Sequence, residues 1–126
     1  MNRENIKSFV QHVLGCGCPE EVFRHIESRS NIKMNDIVLR SRINIGNRLL
    51  IYIIDTDDAY ALTSVLPVII DAGRKERDAL GFNRLRIVLA AEDIEAAKKT
   101  AFNIFETIDK DEKIHLHLIR KSEIPV

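Results

Sequence analysis

Residues 49–54 are apolar at every position, and this run constrains the fold more than any other stretch of the chain. A strand that is apolar on both faces has to be covered on both faces, so the run predicts a strand at the centre of a sheet. Residues 36–45 alternate between apolar and polar side chains, which is typical of a second strand. Gly46-Asn47 lies between the two segments and is a hairpin signal, so we expect the strands to pair antiparallel.

Helix and strand patterns alternate through the rest of the chain. Apolar residues at helical spacing predict one helix over 58–80 and another over 94–108, which Asp93 caps. Residues 84–91 and 113–119 have the pattern of strands. A strand–helix–strand order implies parallel pairing through right-handed crossovers.

The N-terminal segment has a helical pattern of its own. Apolar spacing predicts a helix near 3–14, ended by Gly15, and a short second helix after the next loop. The predicted class is therefore α/β, with α+β as the alternative, in a single domain that spans the chain. We expect an N-terminal helix pair over 1–30, then ββαβαβ over 36–120. The sheet is predicted to be mixed and four-stranded, with two helices on one face.

The two faces of the predicted sheet differ in character. One is uniformly apolar and suits the two helices. The other mixes charged, aromatic and apolar side chains: Arg40, Arg42, Tyr52, Arg86, His115 and His117 beside Leu50, Ile54, Val88 and Ile119. Such a face is too apolar to be left in water and too polar for an ordinary core. We expect it to be half covered, either by the N-terminal helix pair or by a second copy of the chain in a homodimer.

Charge balance and cysteine count exclude several classes of protein. The 126 residues include 19 basic and 19 acidic side chains, so the formal net charge is zero. A neutral chain lacks the general attraction on which non-specific binders of nucleic acid or membrane surfaces depend. Residues 1–5 include a glutamate and precede no apolar stretch, which argues against a signal peptide, and no apolar run is long enough to span a bilayer. With only two cysteines, the composition indicates a cytoplasmic, reducing location.

Both cysteines lie in the loop between the two predicted N-terminal helices. Because Cys16 and Cys18 are one residue apart, their thiolates can bind the same soft ion, and the loop is a candidate site for zinc or another soft transition metal. Zinc prefers four ligands, and this pair supplies two. The histidines that could complete the set flank the loop or lie together on the last strand: His12, His25, His115 and His117.

The same two cysteines allow a redox interpretation and a structural one. A disulfide between Cys16 and Cys18 would close a small ring and be easily reduced, which suits a reactive thiol pair. Cys18 precedes a predicted helix start, where the dipole favours a thiolate, although Glu20 and Glu21 oppose that effect. Alternatively, Cys18 caps the helix and Cys16 is a small packing residue.

The loop resembles one carried by small uncharacterised prokaryotic proteins with the signature Leu-Gly-Cys-x-Cys-Pro-Glu-Glu-Val-Phe. The match covers residues 14–23 and includes both cysteines. The resemblance implies no activity, and it supplies no functional residues beyond those two cysteines.

An acidic loop is a second, weaker candidate site. Asp55, Asp57 and Asp58 follow the predicted central strand, and ligands of open α/β sheets bind at the carboxyl ends of strands. An aspartate here also serves as the N-cap of the next helix, which explains the cluster without chemistry.

These observations predict a small cytoplasmic accessory or binding module whose Cys-Gly-Cys loop binds a transition metal or acts as a reactive thiol pair. The alternative is a dimeric structural or regulatory protein with no catalytic chemistry, in which the cysteines are packing residues. The sequence contains no phosphate-binding glycine loop, dinucleotide fingerprint or Ser/His/Asp order, so it favours a module that is not an enzyme.

Overall fold

The apolar run at 49–54 lies in the third strand of a five-stranded sheet, midway between its two edges. The computed structural model describes residues 2–34, 37–56, 59–108 and 112–125. In chain order the main elements are α1 (Arg3–Ser8), β1 (Ile26–Met34), β2 (Ile37–Ile45), β3 (Leu49–Asp55), α2 (Ala59–Leu80), β4 (Arg84–Ala91), α3 (Ile94–Thr107) and β5 (Ile114–Arg120). A π-helical segment (Phe9–Val13) continues α1, and short 3₁₀ helices span Glu20–Arg24 and Lys121–Glu123.

The strands lie in the sheet in the order in which they occur in the chain. β2 pairs antiparallel with both β1 and β3, whereas β3, β4 and β5 are parallel to one another. The predicted hairpin at Gly46-Asn47 and the predicted parallel pairing are therefore confirmed. Gly46 and Asn47 both have positive φ, 60° and 56°, as the tight turn between β2 and β3 requires.

β1 is the element that the sequence analysis missed, so the prediction of four strands was wrong. The second helix of the predicted N-terminal pair is only the short 3₁₀ helix Glu20–Arg24, and the chain then extends as a strand. Residues 26–34 carry few strand-forming side chains, and most are at least partly exposed. They form a strand because the outer edge of β2 offers unpaired backbone groups, with Ile26 opposite Ile45 and Met34 opposite Ile37.

α2 and α3 pack on one face of the sheet, as predicted. The buried side chains of this layer come from both helices and from the strands beneath them: Leu39, Leu50, Tyr52, Ile54, Leu62, Leu66, Ile69, Ile70, Leu85, Ile87, Leu89, Ala97, Ala101 and Ile114. Among the described helices, none has both the length and the apolar character needed to cross a membrane.

Three polar side chains meet inside this helix-covered layer. Tyr52 was expected on the mixed face together with Arg42, Leu50 and Ile54, but all four lie on the helix side, with Tyr52 opposite Arg42 in the β2–β3 register. Glu76 of α2 provides a partner for the two polar side chains there: its Oε1 accepts from Arg42 Nε at 2.7 Å and from the Tyr52 hydroxyl at 2.9 Å. One carboxylate thus satisfies two polar groups that would otherwise be unsuited to this layer.

The N-terminal segment covers the opposite face, which is one of the two covers expected for it. Its buried residues pack on apolar side chains of the sheet: Ile6, Phe9, Val10, Leu14, Val22 and Phe23 against Ile43, Ile45, Ile51, Ile53, Val88, Ala90 and Ile119. Arg3 closes the segment on itself, because its Nη2 donates to the carbonyl oxygens of Phe23 and Arg24 at 3.0 and 2.9 Å. The homodimer stays a prediction.

Candidate functional site

Backbone hydrogen bonds fix the cysteine loop at both ends. The amide of Cys16 donates to the carbonyl of Val10 at 3.0 Å, and Gly15 turns the chain with φ of 69°. At the far end, the amide of Val22 donates to the carbonyl of Pro19 at 3.1 Å. The loop is therefore held by the N-terminal segment that covers the sheet.

Cys16 and Cys18 form a disulfide bond across Gly17, with their Cα atoms 5.4 Å apart. Both side chains touch the N-terminal core cluster, yet both remain partly exposed. Cys18 does not cap a helix, because Pro19 occupies the N-cap position of the 3₁₀ helix that follows. Cys16 and Cys18 are therefore partly exposed residues, and the predicted capping role of Cys18 is wrong.

A cleft of about 350 Å³ opens beside the disulfide. Its lining combines the loop, the 3₁₀ helix, the end of β2 and the starts of β3 and β4: Cys16, Gly17, Cys18, Pro19, Val22, Ile45, Arg48, Leu49, Asn83, Arg84 and Arg86. The starts of β3 and β4 meet here because Leu49 is opposite Arg84 in the parallel register. The amides of Asn83 and Arg84 also donate to the carbonyl of Arg48, at 2.7 and 3.2 Å.

The charge of this cleft has a single sign. It is lined by three arginines and by no acidic residue among those the structure describes. Among the residues that the structure describes, no carboxylate lies within ion-pair distance of Arg48, Arg84 or Arg86. Several other arginines do have such a partner. The chain as a whole is neutral, so the positive charge is a local property of this cleft.

Arg86 connects the loop to the sheet. Its Nη1 lies 2.7 Å from Nε2 of His117 and donates to the carbonyl of Leu14 at 3.3 Å. A guanidinium only donates, so Nε2 of His117 has to accept, and the imidazole is neutral. The Nε of Arg86 is buried and has no hydrogen-bond partner among the described residues. The guanidinium of Arg86 is therefore partly buried with only some of its N–H groups hydrogen-bonded.

Burial governs the protonation of the histidines on β5. It is the largest cause that lowers the pKa of His117 to about 4, followed by the charges of Arg86 and His115. The pKa of His115 is also lowered, first by burial and then by Arg86 and Arg84. Burial and the charge of Arg84 lower the pKa of Arg86 as well, but a guanidinium remains protonated at neutral pH. The positive charge of this region therefore comes from the arginines.

We expect the folded state to lose stability as the pH falls from about 6.5, the usual histidine pKa, to about 4. Between these two pH values His117 is protonated in the unfolded chain and neutral in the folded chain. Allowing for the partial exposure of the imidazole, the loss is roughly 1–2 kcal/mol. His117→Gln, which can still accept from Arg86, should flatten this part of the urea-unfolding pH profile, whereas His12→Gln at an exposed site should not. Equal profiles for His117→Gln and the wild type would contradict the assignment.

The structure does not bring the candidate metal ligands together. His12 and His25 are exposed, and His117 is engaged by Arg86. Across the described ranges, no group of three or more histidine, cysteine, aspartate and glutamate side chains is arranged to hold a metal ion. Cys16 and Cys18 are brought together as a disulfide.

The acidic loop lies away from the cysteines, at the other end of β3. The carboxylate of Asp55 forms an ion pair with Arg40 at 2.9 Å. Asp57 and Asp58 lie outside the described residues. The described part of this loop thus has a structural partner for its charge.

Sequence reasoning missed Arg48, Asn83 and Arg84 as site residues. A signal was present, since Arg48 and Arg84 stand at the starts of two apolar strands that were predicted to be parallel. The amino ends of parallel strands lie at one edge of a sheet, and the pairing of β3 with β4 in the structure makes the two arginines neighbours there.

Comparison with protein-family models, with curated proteins and with solved structures gives no match to this chain. The function is therefore inferred from the geometry of the chain alone.

Proposed function

We propose that this protein is a redox module in which Cys16 and Cys18 alternate between a disulfide and two thiols. The observation that carries the proposal is the Cys16–Cys18 disulfide, closed across one glycine and partly exposed beside a cleft. A bridge between residues so close in sequence joins no distant parts of the chain, so a structural staple accounts for it poorly. Partial exposure likewise speaks against a pure packing role.

The charges around the pair favour its reactive form. The thiolate is the nucleophile in thiol–disulfide exchange, and neighbouring cationic groups stabilise it. Arg48, Arg84 and Arg86 line the same cleft as both cysteines. Glu20, which was expected to oppose a thiolate, is instead paired with Lys7 at 2.6 Å, and this hydrogen bond is the largest cause that lowers the pKa of Glu20. Glu21, the other acid expected to oppose a thiolate, is exposed and does not line the cleft, so the residues that do line it carry positive charge.

The exchange is balanced by an external disulfide as the oxidant. One thiolate attacks a sulfur of the external disulfide, its S–S bond breaks, and the first external thiolate leaves. The second cysteine thiolate attacks the mixed disulfide, which forms the Cys16–Cys18 bond and releases the second external thiolate. The protein loses two electrons, the external disulfide gains them, and the two protons from the cysteines go to the departing thiolates.

In a reducing cytoplasm, where we place the protein, the pair would rest as a dithiol and become oxidised transiently. The same dithiol is the state that a metal would need, so oxidation and metal binding exclude each other. We favour the thiol pair because the described residues include no further ligands arranged beside it.

The proposal is tested by equilibrating the protein in buffers of graded glutathione or dithiothreitol ratio and counting free thiols by alkylation and mass spectrometry. Because the chain has only two cysteines, each added mass reports on this pair. We expect a reversible two-electron transition. Cys16→Ser and Cys18→Ser should each lose it, and at least one of them should accumulate a mixed disulfide with glutathione.

Two results would contradict the proposal. One is a pair that native protein neither oxidises nor reduces under conditions that exchange it in urea-unfolded protein. The other is stoichiometric metal in protein purified under reducing conditions, lost in the Cys16→Ser/Cys18→Ser double variant and protecting the thiols from alkylation.

A further inference from the structure

We infer that the arginine-lined cleft binds the anionic part of the exchange partner, so the substrate class is a small thiol or disulfide that carries carboxylate groups. The inference rests on the proposed function, because it names the partner of the same two cysteines. What carries it is the placement of Arg48, Arg84 and Arg86 beside the disulfide, with no carboxylate to neutralise them in the described part of the chain.

The arrangement is unusual for a neutral protein. The chain has as many acidic as basic residues, and in its described part five arginines outside the cleft lie within ion-pair distance of a carboxylate: Arg29 with Glu27, Arg40 with Asp55, Arg42 with Glu76, Arg74 with Asp71 and Arg77 with Asp78. Among the described residues Arg3, Arg24 and Arg120 also lack such a partner, but Arg3 and Arg24 line a pocket together with glutamates, whereas no acidic residue lines the cleft. Like charges held together without partners repel one another, and an anionic ligand removes that repulsion.

The position of the three arginines suits recognition of a carboxylate. Arg48 and Arg84 are exposed and lie at the starts of adjacent strands, linked through the backbone hydrogen bonds to the carbonyl of Arg48. Arg86 is half-buried and held by His117 and Leu14. A guanidinium presents two parallel N–H groups that match a carboxylate, so arginines fixed on a sheet form a ready receptor.

The size and the apolar part of the cleft favour a small molecule. A volume of about 350 Å³ is near the lower end of ligand pockets, which span roughly 300–1,000 Å³. Val22, Ile45 and Leu49 supply an apolar wall for the carbon chain of such a ligand. The two cysteines line the same space, so an anion bound by the arginines has its sulfur near the pair.

The test compares small disulfides of different charge as oxidants of the reduced protein: oxidised glutathione and dithiodipropionate as anions, hydroxyethyl disulfide as the neutral reference, and cystamine as the cation. Each rate is divided by the rate of the same disulfide with dithiothreitol, which removes differences in intrinsic reactivity. We expect the anionic disulfides to react about tenfold or more faster than the neutral one at low ionic strength, with the preference falling as salt is added.

The variants separate recognition from redox chemistry. Arg48→Gln and Arg84→Gln should each lower the rate with anionic disulfides roughly threefold to tenfold more than the rate with hydroxyethyl disulfide, whose own decrease reports the loss of thiolate stabilisation. Arg29→Gln, an exposed arginine on β1 that does not line the cleft, is the matched control and should keep the preference.

A second measurement does not depend on exchange. S-methylglutathione has the carboxylates of glutathione but no free sulfur, and we expect it to shift NMR signals of cleft residues, with an affinity at least threefold lower in Arg84→Gln. Absence of binding, or an anion preference that survives the Arg48→Gln/Arg84→Gln double variant, would overturn the inference. Binding of S-methylglutathione without any disulfide exchange would support the anion site and overturn the redox function.

Discussion

Replacing Phe9 by alanine is expected to lower the free energy of unfolding by about 3–5 kcal/mol. Phe9 is only 3% exposed and packs in the cluster that holds the N-terminal segment on the sheet. Its loss leaves a cavity that a π-helical segment, already irregular, cannot close without shifting. The carbonyl of Phe9 also accepts from the amide of Leu14 at 3.0 Å, so a shift would loosen the cysteine loop. Urea unfolding measures the first effect.

Phe102→Ala is the matched control, because Phe102 belongs to α3 on the other face and is partly exposed. It removes the same number of atoms but less buried surface. The free energy of unfolding should therefore fall by at least about 1–2 kcal/mol less than in Phe9→Ala. In hydrogen exchange, Phe9→Ala should increase the opening of the amides of Leu14 and Cys16. Equal destabilisation by the two variants, with protected loop amides, would show that the N-terminal segment does not depend on this residue.

Replacing Gly46 by alanine should destabilise the protein by about 3 kcal/mol, from two separate causes. Gly46 has φ of 60°, which strains any residue with a Cβ. The added Cβ would also lie 2.7 Å from the carbonyl oxygen of Val22 and 2.9 Å from its Cβ. Val22 lies in the 3₁₀ helix and lines the cleft, so relief of the clash has to move the site.

Gly81→Ala separates the two causes. Gly81 has a similar φ of 76°, but a Cβ there would meet no atom within 4 Å. Thermal or urea unfolding should therefore report backbone strain alone for Gly81→Ala, about 1 kcal/mol. The difference between the variants is the contact with Val22. Equal stability of the two variants would contradict the close contact between Gly46 and Val22 that the structure shows.

The core of the fold was predictable because its signal is local. Residues 49–54 were expected to be covered on both sides, and the strand delivers alternate side chains to the two clusters: Leu50, Tyr52 and Ile54 to one, Leu49, Ile51 and Ile53 to the other. β1 was not predictable in the same way. Its side chains carry weak strand preference, and only the edge of β2, which is a non-local partner, makes it a strand.

The candidate site was predictable in part. Cys16 and Cys18 stood out from composition, whereas the cleft beside them depends on Arg48 and Arg84, which come from two other elements. Assigning them needs the register that places Leu49 opposite Arg84. The surroundings of the histidines were not predictable for a related reason: spacing along the chain put His115 and His117 on a strand, but it could not show that Arg86 contacts His117.

Because the Cys16–Cys18 bridge joins residues only two positions apart, opening it should cost the folded protein little stability. Chain-entropy arguments give a ring of about three residues roughly 1.6 kcal/mol of stabilisation, against about 4.7 kcal/mol for a loop of about 100 residues. Opening the bridge therefore raises the conformational entropy of the unfolded chain only slightly. The neighbouring strands β3 and β4 keep their own hydrogen bonds. Reduction of the bridge is therefore expected to lower the free energy of unfolding by no more than about 1.6 kcal/mol.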